Sequence, residues 1–339
     1  MDTLFVSCPS TGRNGREPLG VGNRNSLEPA RRIRNSSTVV MHANQLRVPI
    51  ETVRHLVDRQ FPEWIDLPIE PVKSHGTVNA IFRIGERLAA RFPLQPGDPR
   101  TMRRQLEAEA RAARELLRHS PVPTPEPIAI GDSGAGYPLP WSVQTWLPGT
   151  VAADADPGES VEFAHDLATF IQAVRAIDAR GRVFDGPGRG GDLRSHDVWV
   201  DTCLQRSGHL LHVARLRDMW AALRTTPRTV PDDVMTHGDL VPGNVLVSHG
   251  RLAGVLDVGG LGPADSALDL VCAWHLLETT PRQVLRDDLD CDDTEWARGM
   301  AWAFEQALGA VWYYERSNST MSRMGRRTLD RIVADESSG

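Results

Sequence analysis

Regular hydrophobic spacing begins only near Met41. Before it, residues 1–40 mix Gly, Asn, Ser and Arg without an apolar period and carry six basic and three acidic side chains, the composition of an unpacked tail. Two readings stand: an extension ahead of a natural start at Met41, or an ordinary tail. From Pro49 the apolar positions Ile50, Val53, Leu56, Val57 and Phe61 keep helical spacing until Pro62 stops them. Alternation replaces that period at Val78, Ala80, Phe82 and Ile84. A turn at Gly85-Glu86 follows, then alternation again at Leu88, Ala90 and Phe92, which predicts a hairpin with Arg91 on the face opposite its apolar neighbours. A helix is expected from about Pro99 to Arg118 and, after a proline-rich crossing, a strand from Trp141 to Leu147.

Beyond Gly149 the period is mostly helical, near 160–179, 195–224, 265–278, 293–316 and 320–334. One β insert interrupts it, with strands at Val234–Thr236, Asn244–Val247 and Leu252–Leu256 and a turn at His249-Gly250. The pattern predicts an α+β chain of two lobes: a small β-rich N-lobe over 41–147 and a larger, mostly helical C-lobe over 148–335.

With 339 residues, 40% apolar and nine of them tryptophan, the chain can bury a large core. Its formal charge of −6 gives no general positive surface for a phosphate backbone, so a nucleic-acid partner is not expected. Four scattered cysteines, Cys8, Cys203, Cys272 and Cys291, form no CxxC pair, which fits a reducing cytoplasm better than a disulfide scaffold or zinc cluster. No apolar run reaches the roughly 18 residues of a spanning helix, so no membrane partner is expected; oligomeric state is left open. Lys73 is the chain's one lysine, so no other lysine can serve a phosphate.

The chemistry concentrates in the β insert as H-x-D-x(4)-N-x(12)-D-x-G, carried by His237, Asp239, Asn244, Asp257 and Gly259. A loop carries Asp239, a strand opens at Asn244, and Asp257 ends the next arm, so three oxygen ligands can meet at one edge. Two carboxylates and an amide oxygen suit Mg²⁺, which takes few protein ligands and completes its shell with water and phosphate. Phosphoryl transfer needs that set: one carboxylate at an acceptor hydroxyl, and an Asn and Asp on metal. His237 alone reads as a packed histidine fixing the loop, and His249 as an exposed turn residue.

The segment HGDLVPGNVLV followed by LAGVLDVGGLGPADSALDL resembles the catalytic stretch of the aminoglycoside phosphotransferase family, small-molecule relatives of protein kinases. SHGTVNAIFRIG, ERLAARFP, YPLPWSVQTWLPG and WARGMAWAFEQALGAVWYYERSN resemble further family segments in the same order, over about 41–335. The resemblance implies a bilobal protein-kinase-like fold, ATP or GTP with Mg²⁺ as cofactors, Asp239 as catalytic base, and Asn244 and Asp257 as metal ligands. It further implies that Arg91 positions the nucleotide phosphates and that Glu109, on the apolar stripe of Met102, Leu106, Ala113 and Leu116, holds Arg91. Glu107 lies around the helix in solvent. Ser74 and Gly76 are expected in a loop covering the nucleotide, and Gln144, Thr145 and Trp146 in a hinge seating its base. Trp141 and Trp146 also suit the core. Arginine where most kinases have lysine is a departure, as is Gly260 where many relatives carry a second acidic residue. Asp265 suits a helix N-cap, and structure is expected of Asp269 too.

An acidic run, Asp287, Asp288, Asp290, Asp292, Asp293 and Glu295, gives two readings: attraction for a cationic, aminoglycoside-like hydroxyl substrate, or solvated charge at a helix start. The expected activity is γ-phosphoryl transfer to a small-molecule hydroxyl, with a role in antibiotic resistance if the acceptor is an aminoglycoside. Macrolide or metabolite kinases, a nucleotide-binding pseudokinase and a metal-dependent hydrolase using His237, Asp239 and Asp257 are the alternatives.

Overall fold

The computed structural model describes residues 45–73, 78–186, 188–229 and 231–336. The tail 1–40, Cys8, Ser74 and Gly76 lie outside them. Helix α1 (Ile50–Gln60) buries Val53, Leu56 and Val57 and ends where Pro62 opens a short 3-10 turn. Strands β1 (Ile69–Val72), β2 (Asn79–Ile84) and β3 (Leu88–Pro93) precede α2 (Pro99–Leu117), and β4 (Pro127–Gly131) and β5 (Trp141–Thr145) complete an antiparallel sheet of order β1-β2-β3-β5-β4. The β2–β3 hairpin pairs Ile84 with Leu88 and Ala80 with Phe92, the register its alternation predicts.

Phe92 stacks on Trp141 at 4.7 Å between ring centroids, with Phe61 and Tyr137 set edge-on, and this aromatic packet fixes the sheet against α1. Truncating Trp141 or Phe92 costs about 3–5 kcal/mol by the usual price of a core aromatic. At α2 the Asp98 side chain accepts from Thr101 N at 2.8 Å, an N-cap that sets where the helix starts and so where Glu109 falls.

The remaining chain supplies β6 (Thr150–Val151), α3 (Ala152–Ala155), α4 (Val161–Arg175), α5 (Asp197–Arg206), α6 (Val213–Leu223), β7 (Val234–Thr236), β8 (Val245–Ser248), β9 (Arg251–Val255) and β10 (Gly262–Ala264). Helices α7 (Val271–Leu276), α8 (Thr279–Asp288), α9 (Asp293–Tyr313) and α10 (Ser319–Glu336) close it. Helix α9 is buried on nearly all sides over Ala301–Val311, as a helix apolar all round must be, and the other helices pack about it. Among the described residues no helix is long and apolar enough to cross a membrane.

Several expectations are corrected. The helix expected over 195–224 is two, α5 and α6, broken at Ser207, whose N–H folds back to Cys203 and Leu204. The helix expected at 265–278 is a 3-10 turn over Ser266–Leu270 followed by α7. The single β insert is two sheets: β8 pairs with β6 on one side and β9 on the other, whereas β7 pairs with β10. Trp141 is fully buried, but Trp146 lies outside the core, with the Arg83 guanidinium 5.1 Å over its ring. The acidic run is largely engaged in structure. Asp292 caps α9 by accepting from Glu295 N, Asp288 pairs with His165, Asp293 with Arg286, and Glu295 with Arg175 and Ser266.

Candidate active site

Two loops meet where the sheet faces the helical part, and Leu256 ties them together. Its N–H donates to Asn244 O at 2.7 Å and its carbonyl lies 3.1 Å from His237 Nε2. Asp239 N donates to His237 Nδ1 at 3.3 Å, so both ring nitrogens hold backbone and the Nε2–H tautomer is fixed. Both ring nitrogens of His237 are thus taken up in fastening the loop. Asp269, buried, accepts the N–H groups of His237 and Gly238 at 2.8 Å each and holds the loop from beneath. Gly238 allows that approach with φ +81, a left-handed conformation costly for other residues.

Asp239 is 1% exposed. Asn244 Nδ2 donates to its Oδ2 at 2.8 Å and to its carbonyl at 3.0 Å, which fixes the carboxylate's plane and points Oδ1 the other way. Burial lifts the Asp239 carboxyl above its ordinary value and nearby Asp257 adds to the rise, against the pull of Arg189 and His237. Asp257 is a non-glycine residue at φ +54, a sparsely populated conformation that turns its side chain back toward the sheet.

That side chain meets Arg91 from β3. Arg91 Nη2 lies 2.9 Å from Asp257 Oδ1, and Nη1 lies 3.7 Å from Glu109 Oε2. The expected Arg91–Glu109 pair is thus present but is the looser of the two contacts. Burial works against the charge on Arg91, yet Asp257 and Glu109 outweigh it and raise its pKa. The loss of water around the part-exposed Glu109 carboxyl raises its pKa from the ordinary value, which Arg91 only partly offsets. Gly259 completes the contact between helix and loop: a Cβ there would lie 2.7 Å from Glu109 Cγ.

Thr145 N–H and Trp146 N–H, expected to face a purine edge, donate to the carbonyls of Glu126 and Arg87 at 2.9 and 2.7 Å. Those two amides are committed to the N-terminal part. Gln144 pairs in register with Ala89 and Pro127 inside the sheet and lines a cavity of about 340 Å³ between α2, β4 and β5, with Arg91, Glu109 and Gly259 on the same wall set. Asp265 does cap the 3-10 turn, accepting from Ala267 N at 3.2 Å, and also pairs with buried Arg298 and Trp302.

One side chain beside Asp239 is not anticipated from the sequence. Arg189, in the glycine-rich stretch between α4 and α5, brings its guanidinium 3.4 Å from Asp239 Oδ1, with the side chain only 9% exposed. A lone arginine among Gly186, Gly188, Gly190 and Gly191 carries no periodicity, so nothing in the pattern singles it out.

An antiparallel sheet over a helical part, with two aspartates and an asparagine at the junction and an arginine reaching in from the sheet, defines a kinase-like phosphotransferase architecture. Solved structures share it. The GDP and kanamycin complex of APH(2")-IIia superposes with a TM-score of 0.62 at 18% identity, covering 84% of this chain and 98% of that one. The macrolide 2'-phosphotransferase MphH from Brachybacterium faecium gives 0.56 at 19%, covering 82% and 98%. At such identities the likeness shows the fold alone. An aminoglycoside 3'-phosphotransferase of Escherichia coli is 40% identical over 148 residues, 41% of this chain and 53% of that protein, so the chain spans about half the length of that curated relative. The model of the phosphotransferase enzyme family, APH, matches residues 70–302, and the chain belongs to that family.

Proposed function

We propose that this protein transfers the γ-phosphoryl group of ATP or GTP to a hydroxyl of a small molecule. The observation that carries the reading is the joining of Asp239, Asn244, Asp257 and Arg91 by Leu256 and the Arg91–Asp257 contact, although the four come from three separate segments. Asp239 Oδ1 is the oxygen that accepts the hydroxyl proton. The acceptor oxygen bonds to the γ-phosphorus, the bond to the β–γ bridging oxygen breaks, and its electron pair leaves with the nucleoside diphosphate. Catalysis is then positioning and charge neutralisation, with no covalent enzyme intermediate.

The donor set fits magnesium. Asn244 gives its amide nitrogen to Asp239, which leaves its oxygen for a cation beside the Asp257 carboxylate, and both are hard ligands. Bound Mg²⁺ neutralises charge on the phosphates. Arg91, released from Asp257, turns to the phosphates while Glu109 retains it, and Gln144 to Trp146 border the base. Structural neighbours solved with GDP and with ADP support nucleotide binding. Aminoglycosides are the acceptors the relatives point to, with macrolides and metabolite alcohols the comparison set.

The test is nucleotide consumption screened over amino sugars, macrolides and metabolite alcohols, with mass detection of an added phosphate. A product heavier by one phosphoryl group is expected. Nucleotide-dependent thermal stabilisation without any phosphorylated product contradicts the reading and favours the pseudokinase.

A further inference from the structure

We propose that Arg189 is a further catalytic residue, a buried guanidinium set beside Asp239 to meet the phosphoryl group as it passes to the acceptor. The inference rests on the phosphotransfer reading and assigns a cation to the Asp239 side of that site. The loop from His237 to Asn244 holds no lysine or arginine, and both nitrogens of His237 are occupied. Arg91 lies on the sheet side, against Asp257 and Glu109. Lys73 is exposed at the end of β1. Arg189 is the basic side chain that reaches Asp239 itself.

Its orientation is set from far behind. Thr328 Oγ1 donates to Met324 O at 3.0 Å, so toward His275 Nδ1, also 3.0 Å away, it can only accept. His275 therefore carries its proton on Nδ1. Burial pulls its pKa down to about 4, so the ring is neutral and Nε2 is a bare acceptor. Gln306 must then turn its amide nitrogen to Nε2, 2.9 Å away, and its oxygen to Arg189. That oxygen lies 3.0 Å from Nε, 3.0 Å from Nη1 and 3.1 Å from Nη2. Near-equal distances to three nitrogens of a planar group place the oxygen over its face. The guanidinium plane is thus set by side chains from α7, α9 and α10, while one terminal nitrogen, Nη2, is turned to Asp239 Oδ1.

Two distances argue against a purely structural ion pair. A guanidinium clamped to a carboxylate sits at about 2.7–2.9 Å, usually with two bonds. Here one nitrogen approaches Asp239 at 3.4 Å, and the carboxylate's fixed partner is Asn244 on the other oxygen. A hydroxyl accepted by Oδ1 would bring the γ-phosphorus within a few ångströms of Arg189. As the acceptor oxygen bonds to phosphorus, its proton passes to Asp239 and the bridging electron pair leaves with the diphosphate. Charge then spreads over the three peripheral phosphoryl oxygens, and a planar fork can bind two of them.

The experiment compares wild type with Arg189→Gln, Arg189→Lys and Arg189→Gly in Mg-ATP and Mg-GTP hydrolysis, with water as acceptor, and in any transfer the acceptor screen identifies. Arg189→Gln is expected to lower kcat about 10²–10³-fold, the usual cost of one transition-state donor, with little change in nucleotide KM. Arg189→Lys recovers part of that loss, and added guanidine hydrochloride restores turnover to Arg189→Gly but not to wild type. If Arg189→Gln does not fold, Gln306→Leu, which removes the group over the guanidinium face, must lower kcat without raising nucleotide KM; unchanged kcat overturns the proposal. A folded Arg189→Gln enzyme with kcat within about threefold of wild type also overturns it, leaving phosphotransfer intact. A wild-type protein with no Mg-nucleotide turnover at all overturns both.

Discussion

The two sides of the site are built differently. On the helical side Asp239 is buried, its Oδ2 and carbonyl are held by Asn244, and its loop is fastened from below by Asp269 and from the side by Leu256. On the sheet side Arg91 divides itself between Asp257 at 2.9 Å and Glu109 at 3.7 Å, and both carboxylates are partly open to solvent. The group expected to take a proton is immobilised. The group expected to follow a nucleotide is held by contacts that can be exchanged. A reacting oxygen must be aimed within a fraction of an ångström, whereas a phosphate-binding cation has to be released when nucleotide and metal arrive.

The comparison can be broken most severely through Asp269. In Asp269→Asn one oxygen still accepts, but the amide nitrogen faces a second donor N–H, leaving a buried group unsatisfied at a cost of about 1–3 kcal/mol. Turnover should fall more than nucleotide affinity, read by chemical denaturation alongside steady-state kinetics. Gly259→Ala attacks the seam between the two sides. Its Cβ would press on Glu109 Cγ, so α2 or the loop must shift, with a stability loss of about 1–3 kcal/mol and a raised nucleotide KM. The smallest effect is expected from Glu109→Gln. The Arg91–Glu109 contact is long and part-exposed, so losing it should change nucleotide KM by at most a few fold and stability by up to about 1 kcal/mol.

The sequence carries the rigid side better than the adjustable one. Asp239, Asn244 and Asp257 sit in one motif because their loops are joined by short strands; the structural roles of His237 and Asp269 follow from the need to satisfy that loop's backbone, and that of Asp265 from capping the 3-10 turn after it. Hairpin pairing and the α2 stripe are equally local, so alternation and helical period expose them. Strand β4 escapes because Pro125 and Pro127 read as crossing chain, and it forms only because Gly131 admits the Trp141 indole against its backbone. Helix α8 escapes for a similar reason: Pro281 lies in its first turn, where proline is tolerated, but reads as a breaker. Arg189 could not have been read at all. What orients it is Gln306, His275 and Thr328, side chains that only the packing of α7, α9 and α10 brings together.

The central claim is that Asp239 acts on the acceptor proton while other groups bind the nucleotide. Asp239→Ala measured for both quantities tests it most directly, by turnover with an identified acceptor and by titration of Mg-nucleotide binding. Turnover lost by about a thousandfold or more, with nucleotide affinity within about threefold of wild type, is the predicted result. Equal loss of turnover and binding, or turnover that survives, contradicts the account.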